Sequence, residues 1–460
     1  MLQIRCKNNG ITKSFSEGTS LVEVYQAYAD ELHMAYPVVS AKVNNASQGL
    51  KFRLFNNRDV EFIDASDGSG RRVYVRSLCF VLYKAVSDVF PGGKLFIEHP
   101  LARGYYCNFK KRSGEPLTDA DVKRICTRMQ EIIDADMPFR RTESTTEEAI
   151  RVFRERGFTD KVKLLETSGQ VYTDYYTLGD TVDYYYGPLV PSAGYLKVWG
   201  LERYQDGLLL RVPDKHNPLV LAERVDQPRT FEVFAEKVRW DIIMRLSNAG
   251  DVNRAIQQGN ASELIQVSEA LQEKKIVQIA EEIDSRFHRE QDPVRLVLIT
   301  GPSSSGKTTF CKRLSVQLLA CGLRPISFST DDYFVNRMDT LKLPNGDYDF
   351  DNIETVDYHL LEDHLTRLMK GERVEVPEYN FVTGKREYNG KKLKLAGDTV
   401  LIIEGIHALN PLLTQKIPDA LKYKIYISAL TSISLDDHNW IPTRDNRLLR
   451  RIIRDYNKGA

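Results

Sequence analysis

The sequence has little that would draw the chain to a membrane or to a polyanion. Lysine and arginine number 64 against 63 aspartates and glutamates, a net charge of +1, so no strong overall field attracts nucleic acid. No run approaches the ~20 apolar residues that a membrane-spanning helix needs. The first ten residues, MLQIRCKNNG, lack the apolar core of a signal peptide. We therefore expect a cytoplasmic protein with no membrane partner.

Paired cysteines and repeats are also missing. The six cysteines (Cys6, Cys79, Cys107, Cys126, Cys311 and Cys321) form no CxxC pair and show no metal-ligand spacing, so we expect free thiols, several of them buried. No internal repeat or low-complexity segment is visible. At 460 residues, the chain is long enough for two to four domains.

The N-terminal half reads as two mixed α+β regions. Residues 1–66 combine strand-like pieces (LQIRC, VVSAKVN, VEFID) with the helical pattern SLVEVYQAYADEL, and a turn-rich stretch from Asp64 marks their end. Residues 67–225 contain two helical patterns, the second capped by Thr118, and strand-like segments at KVKLLET and YLKVWGL. Each region predicts a small folded domain.

Residues 226–292 predict almost continuous helix. We interpret them as a connector or dimerisation element, with packing against a neighbouring domain of the same chain as the alternative. From residue 293 to residue 460 the pattern changes to strand, glycine loop, helix and strand, which is typical of a parallel α/β sheet.

One motif in this last region carries specific chemistry. Residues 301–308, GPSSSGKT, follow the apolar strand RLVLIT and precede a helical pattern, and they fit G-x-x-x-x-G-K-[ST]. Such a P-loop cradles phosphates with backbone N–H groups and the helix N-terminus, while its lysine reaches the β- and γ-phosphates and its hydroxyl contacts Mg²⁺. The predicted ATP-binding residues are Gly301, Pro302, Ser303, Ser304, Ser305, Gly306, Lys307, Thr308 and Thr309.

Acidic residues follow two further strand patterns. Glu404 ends the strand DTVLIIE, and Asp331 and Asp332 end PISFSTDD. Carboxylates at the carboxyl ends of parallel strands lie near the phosphate crevice, where one can hold Mg²⁺ and another can accept a proton from an attacking hydroxyl. Two adjacent side chains on an extended segment point oppositely, so we expect one of the two aspartates to enter the site.

The last helical pattern is rich in arginine. Arg447, Arg450, Arg451 and Arg454 fall on one helical face. Such a run is often a solvated or salt-bridged face, but beside a P-loop it can supply positive charge to a transferring phosphoryl group.

Together the blocks GPSSSGKTT, STDDYF, VPEYNF, IIEGIHAL and RRIIRD resemble the uridine kinase and phosphoribulokinase family of P-loop kinases from about Val294 onward. The resemblance implies Asp331 as catalytic base, with Lys307, Arg451 and Arg454 as the other catalytic residues. It implies Thr308, Glu404 and Asp331 at Mg²⁺. The substrate-binding residues that it implies are Asp351, Tyr379, Phe350 and Tyr333.

The chain also departs from that family. Gly384 stands near the position of a histidine that helps to read a pyrimidine, and Phe334 stands where a tyrosine often follows the base. The chain ends at Ala460, inside the lid, whereas family members continue. These departures put the choice of base and the completeness of the domain in question.

The first 225 residues resemble the N-terminal half of threonyl-tRNA synthetase: a TGS domain over 1–66, with FSEGTSLVEV and AKVNN, and an editing domain over 67–225, with MPFRRTESTTEEAIRVFRERG and GDTVDYYYGPLVPSAG. The editing chemistry is lost. Arg76, Phe80, Tyr185 and Leu189 stand where the family has two histidines, a cysteine and a histidine. His99 lies off the pattern, and we expect it to be structural or exposed. This predicts a retained scaffold for RNA, nucleotide or partner binding.

The predicted fold is therefore a multidomain α/β protein with a C-terminal P-loop parallel sheet flanked by helices. The predicted function is ATP:nucleoside 5′-phosphotransfer, with uridine or cytidine as acceptor in pyrimidine salvage. Two alternatives remain open: a kinase for another small alcohol, such as a sugar phosphate or pantothenate-like molecule, and an RNA- or ribosome-associated regulator. A homo-oligomer and an RNA or protein partner of the N-terminal domains are left open as well.

Overall fold

A computed structural model describes residues 1–291 and 293–458 of the chain. The chain folds into two compact units. The first unit holds Met1–Ala261 and Ser432–Ile441, and the second holds Ser262–Thr431 and Pro442–Ala460. The predicted domain boundaries at 66, 225 and 292 remain predictions, and the predicted end of the lid at Ala460 lies outside the described residues.

The N-terminal part of the first unit is a five-stranded sheet with one helix, in the strand order β2-β1-β7-β4-β5. Its elements are β1 (Leu2–Cys6), β2 (Thr12–Phe15), β3 (Thr19–Ser20), α1 (Leu21–Tyr28), β4 (Val38–Val43), β5 (Ala46–Gln48), β6 (Arg53–Leu54) and β7 (Arg58–Asp64). Ser20 and Glu23 form a capping box that starts α1, and Leu21, Val24 and Tyr28 bury one helical face against the sheet. The α+β prediction for residues 1–66 is confirmed.

The next part of the first unit is built from two further sheets and two long helices. Its elements are α2 (Gly68–Val89), β8 (Lys94–Leu101), β9 (Gly104–Lys110), α3 (Asp119–Asp134), β10 (Phe139–Thr145), α4 (Thr146–Glu155), α5 (Thr159–Ser168), β11 (Tyr172–Leu178), β12 (Thr181–Asp183), β13 (Gly200–Tyr204) and β14 (Gly207–Arg211). The sheets run β13-β14-β9-β8 and β10-β11-β12. Thr118 caps α3 as predicted, accepting a hydrogen bond from the Asp121 backbone at 3.2 Å.

One strand prediction in this part is wrong. KVKLLET lies inside helix α5, where Val162, Leu164 and Leu165 are buried and Gly169 closes the helix with a φ of 70°. The short apolar run fitted strand and helix about equally well, and packing of α5 against neighbouring helices decides for helix. The strand predicted at YLKVWGL begins only at Gly200.

The predicted helical region is confirmed as α6 (Pro228–Ile243), α7 (Ala249–Gln257) and α8 (Ala261–Phe287). The one buried stripe of α8, formed by Ile276, Ala280, Ile283 and Phe287, joins the apolar core of the second unit. For α8 the structure thus supports packing within the chain.

The second unit is centred on a four-stranded parallel sheet in the order β16-β21-β15-β22. Its elements are β15 (Leu296–Thr300), α9 (Lys307–Ala320), β16 (Arg324–Ser329), α10 (Tyr358–Met369), β17 (Val374–Glu375), β18 (Glu378–Asn380), β19 (Lys385–Glu387), β20 (Lys392–Leu393), β21 (Thr399–Glu404), β22 (Lys422–Tyr426) and α11 (Thr443–Lys458).

Both faces of this parallel sheet are covered. Val297 and Ile299 of β15 pack with α8 and α9, and the alternate residues Leu296 and Leu298 pack with α10. A continuous apolar strand is what a sheet buried on both faces requires. The predicted parallel α/β fold with flanking helices is confirmed.

Two further expectations can be compared with the structure. All six cysteines are free, and Cys6, Cys79, Cys107 and Cys311 are buried, as predicted. Among the described residues, no helix combines the length and the apolar character needed to cross a membrane.

Candidate functional site

Three neighbouring strands of the second unit end at one edge of the parallel sheet. β15 runs into the loop at Gly301, β21 ends at Glu404, and β16 leads to Asp331. Glu404 is paired with Ile299 on one side and with Ser329 on the other. Because all three strands are parallel, the sheet itself brings the predicted loop and both predicted carboxylates to the same edge.

The loop between β15 and α9 has the backbone of an anion cradle. Gly306 adopts a φ of 99° immediately before α9 begins at Lys307, and a Cβ on Gly301 would overlap the carbonyl oxygen of Ile427. Both positions therefore require glycine. The hydroxyls of Ser304 and Ser305 are buried and find no hydrogen-bond partner among the described residues. The loop thus presents unsatisfied donors at a helix N-terminus.

Lys307, the first residue of α9, is half-buried beside this loop. Its Nζ donates a hydrogen bond to the carbonyl oxygen of Pro302 at 3.3 Å. Burial lowers the pKa of Lys307, and the nearby carboxylates of Glu404 and Asp331 oppose that shift. The ammonium group thus contacts the loop and is near enough to both carboxylates for their charges to act on it.

Thr308 and Glu404 meet directly, since the Thr308 hydroxyl donates to Glu404 Oε1 at 2.9 Å. Asp331 is near enough to Glu404 for the two charges to interact: burial, and after it the charge of Glu404, raises the pKa of Asp331. The three side chains offer only oxygen atoms, the donor type that Mg²⁺ prefers, and Mg²⁺ keeps several waters and uses few protein ligands. The described residues contain no group of three or more His, Cys, Asp or Glu that could hold a metal.

The two adjacent aspartates have different roles in the structure. Burial, together with the charge of Glu404, raises the pKa of Asp331 to about 6. Asp332 instead accepts a hydrogen bond from the Ser329 backbone at 3.3 Å and caps the 3-10 turn Thr330–Tyr333. Asp332 is therefore engaged as a cap, and the entry of Asp331 into the site stays a prediction.

The four predicted substrate-binding residues do not share one environment. Asp351 and Phe350 are exposed, and Tyr379 is buried between Phe334 and Phe381, with ring centroids at 5.5 and 5.1 Å. Tyr333 is fully buried and its hydroxyl lies 3.1 Å from His364 Nδ1. Tyr333 is thus part of the apolar core, which leaves its ring no exposed surface for a substrate.

His407 is a site residue that the sequence analysis did not single out, although it lies in the block IIEGIHAL. The imidazole is hydrogen-bonded to the backbone of Asp351, burial lowers its pKa, and its buried Nε2 meets no polar partner in the described part of the chain. The sequence signal that could have indicated His407 is its position three residues after Glu404, the carboxylate that ends the strand. The imidazole is therefore next to the predicted acceptor residue Asp351.

The arginine helix α11 contacts the loop through residues other than the two first assigned. Arg447 Nε donates to the Ser303 carbonyl oxygen at 3.2 Å, and Arg450 Nε donates to that of Ser304 at 3.1 Å. Arg451 and Arg454 lie within ion-pair distance of Asp455, at 3.5 and 2.7 Å. All four arginines were predicted on one helical face. Which of them contact the loop depends on how α11 is rotated about its axis, and the sequence does not give that rotation.

The four positions of the lost editing chemistry also lie together, in the first unit. Phe80, Tyr185 and Leu189 are buried, and the Phe80 and Tyr185 rings are 5.3 Å apart. Arg76 donates hydrogen bonds to the carbonyl oxygens of Tyr186 and Pro188, and its burial lowers the pKa to about 10. The four positions thus form a filled site, with packed rings and an arginine that binds backbone carbonyl groups.

Next to this filled site the first unit has a cavity of about 670 Å³. Its lining includes Lys51, Arg53, Arg140 and Arg141. His99 lies elsewhere: its ring stacks on Phe234 at 3.5 Å, and burial lowers its pKa to about 3. The structural interpretation of His99 is therefore confirmed.

Comparison with known proteins gives separate matches for the N-terminal and the C-terminal parts of the chain. The N-terminal part is 33% identical over 198 residues to threonine–tRNA ligase of Desulforamulus reducens and to that of Syntrophomonas wolfei. Each match covers 43% of this chain and 30% of the ligase, so the chain spans under a third of the length of these relatives.

Solved structures similar to the C-terminal part have low scores. A possible uridine kinase from Bacillus stearothermophilus gives a TM-score of 0.28 at 20% identity, covering 38% of this chain and 91% of that one. The D-glycerate 3-kinase from Cryptococcus neoformans gives 0.23 at 24% identity, covering 29% and 52%. The family model Phosphoribulokinase / Uridine kinase matches residues 296–458. By this family model alone, residues 296–458 are similar to the phosphoribulokinase and uridine kinase family.

Proposed function

We propose that the C-terminal domain transfers the γ-phosphoryl group of ATP to a hydroxyl group of a small molecule, with the 5′-hydroxyl of uridine or cytidine as the acceptor. The observation that carries this proposal is the convergence at one sheet edge of the glycine loop, Lys307, the Thr308–Glu404 pair and Asp331. Phosphoryl transfer depends mainly on positioning and charge stabilisation, which such an edge supplies.

The phosphates of ATP would bind at residues 301–309. The open hydroxyls of Ser304 and Ser305 and the N-terminus of α9 supply hydrogen-bond donors. Lys307 adds a positive charge beside the loop, where it can contact the β- and γ-phosphates. Substrate phosphates would then take the place of the Pro302 carbonyl as partner of the Lys307 ammonium.

Asp331 would accept the proton of the attacking hydroxyl. A carboxylate with a pKa of about 6 is still mostly ionised at pH 7, and it is a stronger base than an ordinary aspartate with a pKa near ~3.9. The nearness of Asp331 to Lys307 and Glu404, whose charges act on its pKa, supports this role.

Thr308, Glu404 and Asp331 would hold Mg²⁺ through oxygen ligands. When bound, the ion supplies charge neutralisation at the β- and γ-phosphate oxygens. Helix α11 would add the guanidinium groups of Arg447 and Arg450, which already contact the loop. Arg451 and Arg454 remain predictions from the family resemblance.

The acceptor would bind near Asp351, Tyr379 and His407. The ring of His407 is hydrogen-bonded to the Asp351 backbone, and its Nε2 has no hydrogen-bond partner among the described residues. This nitrogen would be the one to hydrogen-bond a sugar hydroxyl. Asp351 is exposed and its carboxylate can accept two hydroxyl hydrogens, as vicinal ribose hydroxyls would require. Phe350 adds an exposed ring in the same segment.

A panel of acceptors with MgATP tests this proposal. We expect ADP release to increase with uridine or cytidine, and the product to be the nucleoside 5′-monophosphate. His407→Asn should raise KM for the nucleoside about tenfold, since one hydrogen bond is lost, and leave KM for ATP unchanged. A preference for phosphorylated sugars over nucleosides would reject the nucleoside assignment.

One observation favours a second candidate, a kinase for an alcohol without a base. Gly384, near the family's base-reading histidine, has a φ of 68°, and a Cβ there would lie 2.9 Å from Arg337. Arg337 in turn donates to the Phe381 carbonyl oxygen at 2.6 Å. A side chain that reads a pyrimidine cannot be placed at this position without moving Arg337, so the same panel must include sugars, sugar phosphates and pantothenate-like acids.

The cavity of the first unit supports a further candidate, binding of RNA by the N-terminal part. Its basic lining and the similarity to threonine–tRNA ligases motivate this proposal. Binding should weaken steeply as salt rises, because phosphate contacts release counterions. Deletion of the kinase residues is not required for this test, since RNA binding and ADP release are measured separately on the full chain.

A further inference from the structure

A ten-residue segment of the C-terminal part of the chain belongs to the first unit. The chain leaves the second unit at Thr431, contributes residues 432–441 to the first unit, and returns to the second unit at Pro442. We call residues 432–441 the clasp. The arginine helix α11 begins at Thr443, two residues after the clasp ends.

The clasp completes a buried cluster of charges in the first unit. Lys161 Nζ lies 2.9 Å from Asp183 Oδ1 and 3.1 Å from Asp436 Oδ1, and His438 Nδ1 lies 2.7 Å from Asp183 Oδ2. Lys161, Asp183 and Asp436 have no exposed surface. Buried charges are tolerated only when they are paired, so the synthetase-like domain and the clasp depend on each other for their partners.

Electrostatics supports the same pairing. Burial alone would raise the pKa of Asp183, but His438 and Lys161 outweigh it and hold the pKa at about 2. Burial alone would lower the pKa of His438, and Asp183 reverses this and raises it. Asp160 and Asp437 complete the set of charged groups that face the imidazole.

Backbone and ring contacts hold the rest of the clasp. Ile97 N donates to the Asp437 carbonyl oxygen at 2.8 Å, and Ala249 N donates to that of Ser434 at 2.9 Å. Asn439 Nδ2 donates to the Tyr184 carbonyl oxygen at 2.8 Å. The Trp440 ring packs on Tyr105, with centroids 4.6 Å apart. The clasp thus contacts β8, α7, β9 and the residue that follows β12, and these contacts fix its position on the first unit.

The helix that follows the clasp carries the arginines of the kinase site. Arg447 and Arg450 donate to carbonyl oxygens of Ser303 and Ser304 in the phosphate loop. Arg447 is six residues from the end of the clasp, and at ~1.5 Å of rise per helical residue the start of α11 lies within one or two turns of these contacts. The clasp and the arginines are therefore joined by a short length of chain.

We propose that the clasp is a positioning element for the arginines of α11, and that the synthetase-like domain has been retained because it holds this element. The proposal rests on the kinase function proposed above. Lys161, Asp183, Asp436 and His438 act through Arg447 and Arg450 and do not contact the substrate. By linkage, ATP bound at the loop must stabilise the seated clasp by the same factor by which the seated clasp strengthens ATP binding.

Hydrogen exchange of the unmodified full chain, with and without an ATP analogue that is not hydrolysed and Mg²⁺, tests this coupling. We expect protection of residues 301–309 and α11, and exchange at least about fivefold slower within 433–440, the lower end of typical coupling between sites. Protection of the loop with unchanged exchange in the clasp would overturn the proposal alone. No protection in either segment would overturn the proposed function together with it.

Kinetics of the variant Asp436→Asn/His438→Gln provides a second test. We expect the Kd for ATP to rise about fivefold, the reciprocal of the coupling measured by exchange, and kcat to fall about tenfold, because the arginines also act in the transition state. Met129→Ala, a fully buried change in α3, is the matched control for lost stability of the first unit and should leave kcat unchanged. Equal kcat losses in both variants, or no loss in either, would overturn the positioning role, while an inactive wild-type chain would overturn the proposed function.

Discussion

Two regions of the chain differ in the chemical character of their side chains, the sheet edge at Gly301–Thr308 and the filled pocket around Phe80. At the sheet edge, the side chains are polar: burial and the charge of Glu404 raise the pKa of Asp331 to about 6. The buried Nε2 of His407 has no hydrogen-bond partner among the described residues. In the filled pocket, Phe80, Tyr185 and Leu189 are buried apolar or aromatic residues. The groups at the sheet edge can take part in acid–base chemistry, whereas the residues of the filled pocket pack against one another.

The difference teaches that a fold and its chemistry can be separated. The first unit keeps a continuous core around α2 and α3, and similarity to threonine–tRNA ligases extends over 198 residues. The first unit also binds the clasp, which is held by buried charges next to β12. A catalytic site needs open, perturbed groups, whereas a seat for a segment of chain needs paired, buried ones.

The largest expected effect concerns the sheet edge. Asp331→Asn keeps the shape of the side chain but removes the proposed base, so turnover should fall by about 10²–10⁴-fold while ATP affinity stays nearly unchanged. Steady-state ADP release and ATP titration measure the two quantities. Unchanged turnover would refute the role of Asp331, and Asp332→Asn, which alters the neighbouring cap, is the matched control.

The second prediction tests whether the filled pocket is only packing. Phe80→Ala removes a ring that contacts Phe139 and Tyr185, and should destabilise the first unit by about 3–5 kcal/mol. Denaturant unfolding gives the free energy, and ADP release below the unfolding range should be unchanged. Loss of turnover without loss of stability would show that this pocket still takes part in the reaction.

The third prediction separates the arginines of α11. Arg447→Ala or Arg450→Ala should lower kcat about 10²-fold, since each removes a guanidinium that contacts the phosphate loop. Arg451→Ala should change kcat less, because Arg451 is paired with Asp455. Should Arg451→Ala have the larger effect on kcat, the family resemblance would be the better guide than the geometry.

The fourth prediction concerns the pH dependence of the sheet edge. Because Asp331 must be ionised, kcat/KM for the acceptor should fall about tenfold per pH unit below the pKa of about 6. Glu404→Gln removes a carboxylate that raises this pKa, so the midpoint should move to lower pH in the residual activity. Asp398→Asn, at the opposite end of β21 and paired with Arg324, should not move the midpoint.

The smallest expected effect is a pH dependence of stability in the first unit. The folded state raises the pKa of His438, so its contribution is complete below the ordinary pKa of ~6.5 and is lost as pH rises through the raised value. The melting temperature of wild type should exceed that of His438→Gln by about 2–4 °C at low pH, with the gap narrowing as pH rises. A gap that widens with pH would contradict this assignment.

Much of the sheet edge could be predicted from the sequence because local patterns determine it. The glycine loop and the strand-terminal Glu404 and Asp331 need only a parallel sheet to meet, and that sheet follows from the apolar strands. Tyr333 could not be placed, since whether a ring enters the core depends on packing by α10. Arg447 and Arg450 could not be distinguished from Arg451 and Arg454 without the contacts of α11.

The rest of the fold depends on contacts that are distant in sequence. KVKLLET fits a strand and a helix equally, and its helical packing decides between them. The clasp pairs Asp436 with Lys161 and His438 with Asp183, across more than 250 residues of chain. No local pattern marks SISLDDHNWI as part of the first unit. The cytoplasmic location stays a prediction from composition.

The central claim is that the loop at Gly301–Thr308 binds the phosphates of a nucleoside triphosphate. Calorimetric titration of the full chain with ATP in the presence of Mg²⁺ tests it most directly. We expect saturable binding of one ATP per chain, which Lys307→Ala strongly weakens. The absence of measurable binding by the folded wild-type protein, or equal binding by Lys307→Ala, would contradict it.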